Sequence, residues 1–142
     1  MNQPLIFERI LDAPIDKVWS ALTNVAEMKL WYFDVPEFKA EVGAVFTFTG
    51  GPDGGPQYKH VCKVTDVEHL KKLAYTWTYE GYEGESVVTW ELSVEGSQTR
   101  LKLTHTGLET LPASNPDFAV KNFVEGWTYF TTKALPEYLA GK

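Results

Sequence analysis

Three histidines (His60, His69, His105) and one cysteine (Cys62) are the side chains of this sequence best suited to acid–base, metal or thiol chemistry. Zinc sites draw on close pairs of such ligands, and these residues offer none; His69 falls in a turn, so no metal site is expected. The glycine-rich stretch from Gly50 to Pro56 lacks the Gly-Lys-Ser/Thr ending of a phosphate loop and leads into a strand rather than a helix. It reads as a flexible hairpin tip, or as a gate at the mouth of a pocket. A Gly-x-Ser-x-Gly nucleophile motif does not occur. Acid–base chemistry is what remains. His105 alternates with Leu101 and Leu103 on the apolar side of a strand-like segment, so a titratable ring faces the interior. Either it is a core histidine whose hydrogen bonds its surroundings satisfy, or it orients a ligand and moves a proton. Tyr58 and His60 alternate with Cys62 and can share the inner face, although a solvated edge strand also accounts for them. No catalytic residue is assigned, and no cofactor is implied.

The elements that must position these groups are legible from periodicity. Val120, Phe123, Val124, Trp127, Thr131, Ala134, Leu135 and Tyr138 recur at intervals of three and four, which predicts one long amphipathic helix from Asn115 to Leu139. Asn115 supplies a cap, Pro116 suits the first turn, and Asp117 lies at the positive end of the dipole. Gly126 is expected to allow a close approach to sheet or ligand, and Pro136 to kink the last turn. Leu5 to Leu11 predicts a first strand. Two short helices follow, from about Pro14 to Leu22 and from Val25 to about Leu30, and plug one end of a sheet.

From Phe38 onward the period becomes two. Phe46 and Phe48 share a face, as do Leu73, Tyr75, Trp77 and Tyr79, and then Val88, Trp90, Leu92 and Val94. The predicted order is a strand, two helices, six strands and a long helix. Strands joined by short turns form an antiparallel meander, and only the terminal helix is long enough to cover its apolar face. The fold class is therefore α+β, with residues 1–142 as a single domain.

Composition narrows the partners. The chain has 142 residues, is 44% hydrophobic and 14% aromatic, and carries a formal net charge of -6. With Arg9 and Arg100 as its arginines and no basic cluster, its surface repels a phosphate backbone, so nucleic acid is not expected. No run reaches the roughly 18 apolar residues of a membrane span, and the first residues do not resemble a secretory leader, so a cytoplasmic location is expected. One cysteine excludes an internal disulfide.

Several short motifs resemble a known family: Ala13-Pro14 followed by Val18-Trp19 and Leu22; Leu73-Ala74-Tyr75-Thr76-Trp77; Thr99-Arg100-Leu101 running into His105-Thr106-Gly107; and Gly126-Trp127 with Tyr138-Leu139. In this order and spacing they resemble the activator-of-heat-shock-protein-90-ATPase homologue-like branch of the START/SRPBCC superfamily. The resemblance implies a helix-grip fold, in which a curved seven-stranded antiparallel sheet wraps a long C-terminal helix around a hydrophobic cavity. The expected function is binding of a small apolar or aromatic ligand, with Phe46, Phe48, Tyr75, Trp77, Trp90, His105, Phe123 and Trp127 as candidate ligand-binding residues. Two alternatives stay open. One is a cyclase or dehydratase using His105 with Tyr58 or His60, and the other is a domain that binds the chaperone. A monomer or a homodimer is compatible with either.

Overall fold

A computed structural model describes residues 4–51 and 54–141. Pro52 and Asp53, at the tip of the expected gate, lie outside the described residues. The first strand, β1, spans Leu5–Leu11, and helices α1 (Ile15–Thr23) and α2 (Val25–Trp31) follow it. The Asn24 side chain accepts a hydrogen bond from the Glu27 amide, which starts α2 where α1 stops. Five strands come next: β2 (Val45–Gly50), β3 (Tyr58–Glu68), β4 (Lys72–Tyr79), β5 (Ser86–Glu95) and β6 (Gln98–Thr106). They form one antiparallel sheet in the order β1-β6-β5-β4-β3-β2, so the N-terminal strand closes one edge beside the last strand.

Six strands among the described residues replace the expected seven. The segment between α2 and β2 is irregular rather than paired. Pro36 offers no amide to a ladder, and Gly43 adopts φ 95°, where the chain turns to meet β3 through hydrogen bonds of Gly43 and Ala44 with Val64. Val35 and Phe38 from this segment are buried and pack into the sheet interior.

Alternation holds along β4, where Leu73, Tyr75, Trp77 and Tyr79 are all buried. It fails at the end of β5: Val94 is exposed, because the strand runs past its cover towards the turn at Gly96. The strand β3 lies between β2 and β4, so it is not an edge, and Tyr58, His60 and Cys62 are buried on its inner face. The edges are β1 and β2.

The terminal helix is segmented. Asn115 caps a single 3-10 turn, Pro116–Phe118, and Ala119 then returns to extended backbone before α3 (Val120–Tyr129) begins. A π turn, Phe130–Ala134, joins α3 to α4 (Leu135–Ala140). The buried row is Phe123, Trp127, Thr131, Leu135 and Leu139, while Val120 and Val124 of the expected stripe are exposed. Residues four apart drift by about 40° per step on a regular α-helix, and the wider π turn offsets that drift, so the row stays on the sheet. Pro136, which cannot donate in the helical ladder, is the second residue after this widened turn. The Thr131 and Thr132 hydroxyls donate to the Trp127 and Thr128 carbonyls, occupying acceptors at the end of α3.

Candidate functional site

The space between sheet and helix divides in two. One half is solid. Trp31 and Tyr32, at the end of α2, enter it, and Tyr75 joins them by a 2.8 Å hydrogen bond between its hydroxyl and that of Tyr32. Trp90 Nε1 donates to Tyr75 Oη at 3.0 Å, and Phe46 packs edge-on against the Tyr75 ring. Phe46, Tyr75 and Trp90 are therefore core-filling groups, nearly inaccessible to solvent. Burial pushes the Tyr32 and Tyr75 hydroxyls well above the ordinary phenol range.

The other half is a cavity of about 410 Å³. Trp77 and Tyr79 from β4 and His60 and Tyr58 from β3 form its sheet wall, and Phe123, Gly126, Trp127 and Phe130 form its helix wall. Phe33 and Phe118 close its sides, while Gly50, Gly51, Asp117, Asn122 and Glu125 complete the lining. Of the eight candidate ligand-binding residues, Trp77, Phe123 and Trp127 line this space, and Tyr58 and His60, considered as partners of His105, line it too. Phe48 stands behind the wall, stacked on His60 at 4.3 Å and on Phe33 at 4.2 Å.

His105 sits behind the wall as well, fully buried, in a hydrogen-bond chain whose polarity is fixed by its ends. The indole of Trp127 can only donate, so its Nε1–H reaches His105 Nδ1 at 3.0 Å as an acceptor. His105 Nε2–H then donates to Ser86 Oγ at 2.9 Å, and Ser86 donates to the Trp77 carbonyl at 2.8 Å. The chain ties α3 to β6, β5 and β4. Both ring nitrogens are spent, and burial lowers the pKa to about 3, so the imidazole is neutral and has no ring nitrogen left over.

His60 differs. Its Nδ1 lies 3.0 Å from the Tyr58 carbonyl and 3.3 Å from that of Phe48, a position that requires the proton on Nδ1. Nε2 then carries a lone pair, with no hydrogen-bond partner among the described residues. Burial lowers the pKa of this ring to about 4. Tyr79, its ring 4.7 Å from His60, accepts from Trp77 Nε1 at 3.0 Å and keeps its own proton to donate. Burial pushes that phenol up to about 12. Tyr58 is committed elsewhere: its hydroxyl donates to Asp117 Oδ2 at 2.6 Å and accepts from Asn115 Nδ2 at 3.1 Å, pinning the 3-10 turn to β3. The bond to Asp117 raises its pKa.

Gly126 opens the cavity rather than allowing a close approach, since a Cβ built there meets nothing within 4 Å. Sequence reasoning missed Phe33, Phe118 and Phe130 as lining residues. Phe130 had a usable signal, lying three residues after Trp127 and seven after Phe123. Phe33 and Phe118 had none, because both occupy short irregular segments without a period. Among the described residues, no group of three or more His, Cys, Asp or Glu side chains could hold a metal ion. Burial raises the Cys62 thiol, keeping it protonated.

A six-stranded curved antiparallel sheet around a C-terminal helix, with a cavity between them, is consistent with the helix-grip arrangement of the START/SRPBCC superfamily. The chain belongs to the family described as Activator of Hsp90 ATPase homolog 1-like protein, whose model matches residues 12–140. It is similar in structure to protein MLL2253 from Mesorhizobium loti, with 27% identity over 99% of this chain and 98% of that one and a TM-score of 0.77. Protein BH1534 from Bacillus halodurans is also similar, at 27% identity over 98% and 99% of the two chains and a TM-score of 0.74. CalU16 from Micromonospora echinospora is 25% identical over 97% of this chain and 76% of that one, with a TM-score of 0.74. No curated protein sequence matches significantly. Among the described residues, no helix is long and apolar enough to cross a membrane.

Proposed function

We propose that this protein binds a small, predominantly aromatic molecule in the cavity between β3, β4 and α3. The observation that carries this reading is the cavity itself: about 410 Å³, walled by Phe33, Trp77, Tyr79, Phe123, Trp127 and Phe130. That volume lies within the range of roughly 300–1,000 Å³ typical of small-molecule sites, and side chains of this kind favour flat apolar ligands through offset and edge-on ring contacts. A second, solid half of the interior supports the reading, because Tyr32, Tyr75 and Trp90 hold the fold together independently of any occupant. Membership of a family that often binds hydrophobic ligands agrees with it.

Two measurements test the proposal. Native mass spectrometry of freshly purified protein is expected to reveal a bound small molecule, or an empty chain that takes up an apolar fluorophore. Added aromatic compounds should displace that fluorophore in proportion to occupancy. A cooperatively folded protein that takes up neither fluorophore nor aromatic compound refutes the binding reading.

A further inference from the structure

The cavity is not uniformly apolar, and its polar groups are unequally committed. Asn115, Asp117 and Asn122 are engaged with one another or with neighbouring backbone, and Tyr58 is held between Asn115 and Asp117. Two buried residues of the wall retain a hydrogen-bonding valence that no described residue fills. His60, which is 6% exposed, keeps Nε2 as an acceptor without a partner among the described residues, because its Nδ1 proton is given to backbone carbonyls. Tyr79, which is 7% exposed, has an O–H proton left after accepting from Trp77. Their rings are 4.7 Å apart on adjacent strands, so one acceptor and one donor stand together on an otherwise aromatic wall.

An acceptor or a donor of the wall that an apolar ligand strips of water without replacing the hydrogen bond costs free energy. The ligand group that answers both is a hydroxyl, whose single oxygen donates and accepts. A carbonyl satisfies Tyr79 alone. A carboxylate offers no proton to Nε2 and must be stripped of water. The charged side chains lining the cavity are Asp117 and Glu125, both anionic, and no Lys or Arg joins them among the described residues. The chain as a whole adds a net charge of -6.

Building on the cavity-binding reading, we infer that this site selects uncharged aromatic molecules bearing a hydroxyl group, seated with that hydroxyl on His60 Nε2 and Tyr79 Oη, and rejects the corresponding carboxylates. The neutrality of His60 near pH 7 supports this, since a neutral ring gives a carboxylate no countercharge.

The test is a matched series of probes, naphthalene, 2-naphthol and 2-naphthoate, titrated calorimetrically into the full chain at neutral pH. The expected order has naphthol about 3- to 10-fold tighter than naphthalene for each hydrogen bond gained, with naphthoate at least about tenfold weaker than naphthol. Tyr79→Phe and His60→Leu should each remove about 3- to 10-fold of the naphthol preference, read as the ratio of naphthol to naphthalene affinity within each variant. Denaturation curves verify that the variants fold; if Tyr79→Phe does not, because Trp77 Nε1 loses its acceptor, the wild-type series and His60→Leu still decide. Naphthalene bound as tightly as naphthol, naphthoate bound as tightly as naphthol, or a preference that persists in both variants overturns the inference while the cavity reading stands. Failure of all three probes to bind overturns both.

Discussion

Acidification should destabilise this protein well before its carboxylates are neutralised, because two buried histidines are held neutral. His105 and His60 have pKa values lowered by burial to about 3 and about 4, against an ordinary value near 6.5 in the unfolded chain. The sign follows from proton uptake: below pH 6.5 the unfolded chain binds protons that the folded one refuses. The stabilisation is thus fully present above about pH 6.5 and is lost as pH falls towards 4 and then 3. Between pH 7 and pH 5 each histidine forfeits about 1.9 kcal/mol, and the two together about 3.7 kcal/mol. That is a large share of the stability of a domain this size, typically about 5–15 kcal/mol. Urea denaturation followed by tryptophan fluorescence at pH 7, 6 and 5 measures the loss directly. His60→Leu should roughly halve the slope between pH 6 and 5, isolating the share of His105. Stability that stays within about 1 kcal/mol across this range, or native-state His60 or His105 resonances that titrate near pH 6.5, would refute the burial argument.

Two further substitutions separate packing from binding. Gly126→Ala should stabilise the protein by about 1 kcal/mol through helix propensity, visible as a higher urea midpoint, because its Cβ meets nothing within 4 Å. Gly126→Leu should reduce the affinity of a two-ring aromatic probe at least about tenfold without loss of stability; unchanged affinity would place the ligand elsewhere. Trp127→Phe keeps a ring in the wall but leaves His105 Nδ1 without its donor, so it should cost about 1–3 kcal/mol in denaturation experiments. A cost below about 0.5 kcal/mol would show that the chain from Trp127 to Ser86 does not lock the helix to the sheet.

Much of the architecture is written in the sequence because burial on a sheet and burial on a helix leave different periods. The alternation of Leu73, Tyr75, Trp77 and Tyr79 determines the inner face of β4, and the run from Phe123 to Leu139 determines that a terminal helix covers it. Asn24 and Asn115 mark the starts of local structure through bonds made within three residues, which need no tertiary partner. What alternation cannot tell is how the interior is shared. Tyr75, Trp77 and Tyr79 have the same parity, yet Tyr75 is locked against Tyr32 and Trp90 while its two neighbours face a cavity. The difference is made by Tyr32 and Phe33, delivered from the end of α2, where no periodic signal exists. Likewise His60 and His105 are both inward on their strands. Their neighbours distinguish them: the Trp127 indole and Ser86, from distant segments, use both nitrogens of His105, whereas the Tyr58 and Phe48 carbonyls take one nitrogen of His60 and leave the other without a partner among the described residues. Sequence patterns report which side of an element is removed from water, and that is a local property. Whether a removed side chain meets a partner, a void or a ligand depends on atoms far away in the chain, and the packing of sheet against helix alone decides it.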